Sequence, residues 1–226
     1  MKLPEHFFRY FFIATILLVS GIVFIIIQTA VTNPGLVSLS PPALQARADY
    51  HKTTVMPFMA AAFPRLLFLN AGVALFILMV PLFWVWVWWF RRDLLYTMIT
   101  LMQGTVSLLM LALGHNSFPK LYVTYKTLSW QMVATMYLPH GVLEMLAFVL
   151  AGTFAFLTID ALKAYLQENG NSRTLHPGDI CLFILGRTWK AGLVIFFLMA
   201  IAAAIECWVT PVLVESAFEA VLRNIG

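Results

Sequence analysis

The sequence predicts an all-α membrane protein, a bundle of about five transmembrane helices with a broken or kinked fourth helix and short interfacial helices. The first observation is composition: 62% of the 226 residues are hydrophobic and only 11% are charged, against roughly 45–50% and about 25% in soluble domains. The second is a set of five apolar runs, each near the roughly 20 residues that a helix needs to cross a bilayer core. We therefore treat residues 1–226 as a single polytopic domain in contact with the lipid bilayer.

The five apolar runs define the predicted spans. They cover about residues 10–30, 66–90, 94–114, 132–159 and 191–212. The first run is about twice as long as the apolar part of a signal peptide, and it has no small-residue cleavage site, so we expect an uncleaved span.

Three segments outside the spans have a distinct character. Residues 31–65 contain five prolines, which predicts an outer loop whose apolar side chains lie on the membrane surface. Residues 115–131 predict a short aromatic loop near the interface. After the fifth span, Glu215 and Glu219 fall on one helical face and Phe218 on another, so we expect a short amphipathic helix that lies flat.

The positions of lysine and arginine predict the orientation, because cytoplasmic flanks carry an excess of these residues. With the N-terminus inside, eight of them lie on the inner side and six on the outer side. Arg91 and Arg92 form a tight positive turn, whereas Arg47 and Lys52 lie in the middle of a loop. We expect a multi-pass protein of the cell membrane with a cytoplasmic N-terminus, an outer C-terminus, and an interfacial aromatic belt at 84–90.

Two carboxylates and an imidazole lie where lipid is expected. His140 and Glu144 are four residues apart in the fourth span, so they share a helix face, and Glu206 lies in the fifth span. A charged side chain at the centre of a membrane helix costs about 2.5–3.5 kcal/mol and usually faces the bundle interior. We therefore expect a buried polar cluster of these three residues, joined by Asn70 from the second span and Gln103 from the third.

Pro139 and Gly141 flank His140 and predict a break or a kink in the fourth helix, because proline lacks an N–H donor and its ring crowds the carbonyl four residues back. Broken helices are typical of transporter sites, but proline kinks also occur in purely structural bundles. The cluster can therefore be a structural tie or a site for an ion, a proton or a substrate. Zinc is disfavoured, since the chain has no HExxH motif and no second helical histidine.

Other function classes lack their signatures in this sequence. Lys and Arg occur singly or as one pair, so we expect no nucleic-acid partner. No GxSxG motif or Walker loop is present, and we expect no catalytic residues, no cofactor and no resident metal. Gly104, Gly141 and Gly152 predict close helix packing, which permits a homo-oligomer without requiring one. The remaining histidines, among them His51, are expected to be solvated.

Two segments carry a resemblance to a known family. Residues 139–147 read Pro-His-Gly-Val-Leu-Glu-Met-Leu-Ala, and residues 205–211 read Ile-Glu-Cys-Trp-Val-Thr-Pro. They resemble the Pro-His-Gly-x-x-Glu and Ile-Glu-x-x-x-Thr/Ser-Pro signatures of the stage II sporulation protein M family of bacterial and archaeal membrane proteins. Asn70 and Gln103 resemble weaker elements of that family, although asparagine is the residue expected at the second position. The resemblance covers roughly residues 66–212.

The resemblance implies an integral membrane protein without known catalytic activity. The protein after which the family is named is similar to a scaffold that localises two septal peptidoglycan-degrading enzymes during engulfment. Some relatives are linked to bacteriocin immunity or are encoded beside transport genes. We therefore expect a non-enzymatic membrane scaffold or assembly subunit with membrane or envelope protein partners. The alternative is a transporter or channel subunit that uses the His/Glu cluster to bind an ion, a proton or a substrate.

Overall fold

A computed structural model describes residues 4, 6–90, 95–117, 121–169 and 176–223, and these residues are almost entirely helical. The described residues form nine α-helices and two π-helical turns and contain no strand. In chain order the α-helices are α1 (Phe7–Thr32), α2 (Pro41–Tyr50), α3 (Met56–Leu78), α4 (Val80–Phe90), α5 (Leu95–Ser117), α6 (Leu121–Thr127), α7 (Trp130–Asn169), α8 (Pro177–Ala204) and α9 (Thr210–Arg223). The π turns His51–Val55 and Ile205–Val209 connect α2 to α3 and α8 to α9.

Within the described residues, five helical stretches are long and apolar enough to cross a membrane, which confirms the predicted fold class. They are Phe7–Thr32, Pro41–Leu78, Thr97–His115, Trp130–Glu168 and Pro177–Arg223. The chain therefore has the makeup of a multi-pass membrane protein. Arg91, Arg92 and Phe118, on which the predicted positive turn and aromatic loop partly depend, lie outside the described residues.

The segment 41–65 differs from its prediction as an outer loop, because it is helical. Pro41 and Pro42 occupy the first turn of α2, and Pro57 is the second residue of α3. Proline is favoured at a helix start, where its missing N–H would have no intrahelical partner. Pro41 and Pro42 therefore begin a helix, whereas Pro57 follows the π turn His51–Val55 and Pro64 lies inside α3.

The second and fourth predicted spans are also built differently. The second is divided at Met79, which forms a turn between α3 and α4 and donates its N–H to the carbonyls of Leu75 and Phe76. In the fourth, α7 continues through Pro139 to Asn169. Of the two alternatives, a break and a kink, the structure excludes the break.

Both π turns come directly before a helix whose second residue is proline, namely Pro57 in α3 and Pro211 in α9. The N–H of Met56 donates to the carbonyl of His51, and the N–H of Thr210 donates to that of Ile205, each five residues back. A widened turn suits this position, since a proline ring crowds the carbonyl four residues before it in a regular α-helix.

The chain divides into two compact units. The first comprises Met1–Gly21, Gly72–Gly114 and Ala147–Phe196, and the second comprises Ile22–Ala71, His115–Leu146 and Phe197–Gly226. All three segments that the predicted orientation assigns to the outer side belong to the second unit.

Small residues allow close helix contacts in the first unit. A Cβ atom added at Gly114 of α5 would lie 2.1 Å from the backbone oxygen of Leu18 in α1, so only glycine fits there. A Cβ atom at Gly152 of α7 would lie 2.9 Å from the sulfur of Met110. The expectation for Gly104 is wrong, because within the described chain an added Cβ atom would meet nothing within 4 Å.

The second unit has its own apolar core, built from the segments that flank its spans. Leu44 of α2, Met132 of α7, and Val214 and Phe218 of α9 are buried together. A neighbouring face of α9 carries Glu215, whose carboxylate lies 3.0 Å from the Lys52 ammonium. The amphipathic pattern is therefore present, but α9 continues from the π turn and packs on α2.

Candidate functional site

The first predicted polar contact joins α3 to α7 in the second unit. The Asn70 Nδ2 group donates to Glu144 Oε1 at 2.5 Å, and both side chains are half-buried. A hydrogen bond to a carboxylate is stronger than one between neutral groups when the carboxylate is ionised. This contact ties two predicted site residues and two long apolar helices together.

The second polar contact joins α7 to α9. His140 lies one helical turn before Glu144, is 7% exposed, and has its Nδ1 atom 3.2 Å from the Thr210 hydroxyl oxygen. Thr210 is itself buried. Sequence reasoning did not select Thr210 as a site residue, although it stands in the segment 205–211 that resembles a family signature.

Glu206 lies in the π turn Ile205–Val209 and is half-buried. Its carboxyl group lies close enough to that of Glu144 for the two to interact electrostatically. The two carboxyl groups of the predicted cluster are therefore neighbours. π turns inside longer helices are frequent at functional sites. No pattern in the sequence indicated the turn before Pro211.

His51 belongs to the same region, and the expectation that it is solvated is wrong. Its side chain is 8% exposed, and its Nε2 atom lies 3.0 Å from the backbone carbonyl oxygen of Pro211. Since a carbonyl can only accept, the Nε2–H group donates in this contact. The polar neighbours Lys52 and Thr53 gave no sign of this burial.

A cavity of about 270 Å³ opens beside these groups. Its polar lining includes His51, His140, Glu206 and Thr210, and the exposed Arg47 also lines it. A carboxylate and two imidazoles around one cavity are groups that can take up and release protons. His140 is also paired with Thr210, and His51 with the Pro211 carbonyl, so the geometry is compatible with a purely structural role.

The structure places four of the five predicted cluster residues in the second unit. These are Asn70, His140, Glu144 and Glu206, whereas Gln103 lies in the first unit, where its backbone carbonyl accepts the Ser107 hydroxyl at 2.9 Å.

No metal-binding arrangement is visible in the part of the chain that the structure describes. There, no three or more side chains of His, Cys, Asp and Glu are grouped so that they could hold a metal ion. Comparison of the chain with protein-family models, curated proteins and solved structures finds no match in any of the three.

Proposed function

We propose that the chain is a non-enzymatic scaffold or assembly subunit of the cell membrane, resembling the stage II sporulation protein M family. In this proposal the N-terminus is cytoplasmic, the C-terminus is outside, and the partners are membrane or envelope proteins. The observation that carries it is the hydrogen bond between Asn70 and Glu144. This carboxylate binds a neighbouring helix, which is what a structural polar group inside a membrane bundle does.

The contact between His140 and Thr210 adds support. It joins the two segments that carry the family resemblance, residues 139–147 and 205–211. Residues that are characteristic of both segments thereby serve to hold helices together, which suits an assembly protein without a reaction of its own.

The second unit also offers a polar surface for partners. Arg47, Asp49, Lys52 and Glu219 are exposed on α2, the π turn that follows it, and α9. With the proposed orientation these residues face the envelope side of the membrane. Exposed charges of both signs on packed helices form a surface that a water-soluble envelope domain can contact.

Two substitutions of Glu144 test the scaffold. Glu144→Gln removes the charge but keeps an oxygen that accepts from Asn70, so we expect membrane abundance and partner capture within about twofold of the native chain. Glu144→Leu leaves the Asn70 amide unpaired, at a cost of about 1–3 kcal/mol, and both quantities should fall severalfold. Quantitative immunoblotting measures abundance, and affinity capture after crosslinking in intact membranes measures the envelope proteins bound per chain.

Loss of partner capture in Glu144→Gln without loss of abundance would contradict the scaffold. Such a result would show that partner binding requires the charge of Glu144 and not its hydrogen bond with Asn70. Asn70→Asp serves as a further control, since it places a second carboxylate opposite Glu144 and should reproduce the loss seen with Glu144→Leu.

The cavity favours a second candidate, a transport or channel subunit that binds a cation or relays protons. Its lining combines Glu206 with His51 and His140, which are groups that bind and release protons or cations. Purified chain in liposomes would then carry K⁺, Na⁺ or H⁺, and Glu206→Gln would fold normally and lose the flux. The scaffold predicts no flux above that of protein-free liposomes for either chain.

A further inference from the structure

We propose that a second cavity, in the first unit, binds the phosphate headgroup of an anionic phospholipid. The cavity has a volume of about 610 Å³ and is bounded by Pro4 and His6, the later part of α7, and Arg187 of α8. Its basic lining residues are His6, Lys163 and Arg187. This inference goes beyond the scaffold proposal and shares with it only the predicted orientation.

The charges of the cavity favour an anion. Lys163 and Arg187 are cationic, and the acidic residue among the described lining is Asp160. The Tyr10 hydroxyl donates to Asp160 Oδ2, which occupies part of that carboxylate. Arginine offers planar paired donors that match phosphate oxygens, and lysine adds a point charge. A phosphodiester with one negative charge therefore complements this lining.

The Arg187 guanidinium lies over an aromatic ring. Its guanidinium carbon lies 4.9 Å from the centre of the Phe183 ring, and that ring stacks on Tyr165 of α7 with centroids 4.5 Å apart. A guanidinium held over an aromatic face loses less freedom when it binds an anion. Aromatic rings beside basic residues are also typical of the membrane interface.

The apolar part of the lining favours a lipid over free phosphate. Phe154, Leu157 and Ala161 form an apolar wall, and they precede Lys163 on α7 by between two and nine residues. An apolar wall that ends at two cations matches the boundary between the glycerol and the phosphate of a phospholipid. The predicted orientation puts Lys163 at the cytoplasmic leaflet, where anionic lipids are concentrated.

Lipid titration of the full chain in a neutral detergent tests the proposal. Dioleoylphosphatidylglycerol should raise the melting temperature in a saturable way, and native mass spectrometry should detect it bound to the chain. Lys163→Gln and Arg187→Gln should each weaken its apparent affinity about fivefold. The charge-keeping variants Lys163→Arg and Arg187→Lys should recover most of that affinity.

Lys190→Gln is the matched control. It removes one positive charge from the same helix, three residues after Arg187, but Lys190 lies over the Trp189 ring at 5.4 Å and is not among the described residues that line the cavity. It should leave the affinity within about twofold of the native value. Equal weakening by Lys190→Gln would overturn the proposal, because it would indicate only general attraction to a charged surface.

Two further arms separate the possible sources of phosphate. Inorganic phosphate at the same concentration should give no shift in melting temperature, and dioleoylphosphatidylcholine should give a much smaller one. Saturable stabilisation by inorganic phosphate alone would assign the cavity to a free ion and overturn the lipid proposal. Equal stabilisation by both lipids would overturn the proposed selectivity for an anionic headgroup.

Discussion

Replacing Phe218 with alanine is expected to lower the free energy of unfolding of the second unit by about 3–5 kcal/mol, the usual cost of removing a buried phenylalanine ring. Phe218 is 3% exposed and packs in the core that also contains Leu44 and Met132. Helix α2 is polar on average, and α9 carries charged residues beside its buried apolar ones. The two helices therefore pack through a few apolar side chains, as amphipathic helices of soluble proteins do. Removing the ring leaves a cavity where three helices meet.

Hydrogen exchange of the full chain in detergent, read by mass spectrometry, measures this effect. Peptides from α2 and α9 should lose protection in Phe218→Ala, because exchange reports the free energy of local opening. Phe58→Ala is the control: Phe58 belongs to the same unit and is 63% exposed, so its loss should change protection by less than about 0.5 kcal/mol. Equal protection in the two variants would mean that α2 and α9 do not share a core.

This experiment concerns residues 41–65, the segment in which the sequence analysis was most wrong. Residues 41–65 contain four prolines, and these prolines predicted a loop. Within this segment, Leu44 of α2 packs against Val214 and Phe218 of α9, which lie 170 and 174 residues later in the sequence. Hydrophobic periodicity is a local signal, and it cannot reveal a partner that the chain supplies only at its far end.

The polar cluster was predictable in part, for a clear physical reason. His140 and Glu144 share a helix face through their spacing alone, and the cost of an unpaired charge in lipid requires some partner. The cost does not identify the partner. Sequence reasoning therefore selected Asn70 and Gln103 equally, whereas only Asn70 contributes to the described contact with Glu144.

The π turns and the buried His51 were not predictable from the sequence. A π turn differs from an α-helical turn by one residue, and amino-acid composition does not distinguish the two. His51 is buried because the chain at Pro211 packs against it and offers a carbonyl. This contact is a property of tertiary structure, and the local sequence around His51 is that of an exposed segment.

The second large prediction concerns Gly114 and Gly104 of α5, two glycines that composition alone cannot tell apart. Gly114→Ala should destabilise the first unit by about 1–3 kcal/mol, the usual range for overpacking a tight contact. The added Cβ atom would lie 2.1 Å from the Leu18 backbone oxygen and 3.1 Å from the Gly21 Cα atom. Backbone atoms cannot rotate away as a side chain can, so α1 and α5 must separate along their contact.

Gly104→Ala is the matched control in the same helix. No atom of the described chain lies within 4 Å of its added Cβ, so alanine should be neutral or stabilise the helix by up to about 1 kcal/mol through its higher helix propensity. Thermal unfolding of the two purified variants in one detergent gives the comparison. If both variants melt together, α1 and α5 do not approach as closely as the Leu18–Gly114 contact requires, and the tight packing assigned to the first unit would be wrong.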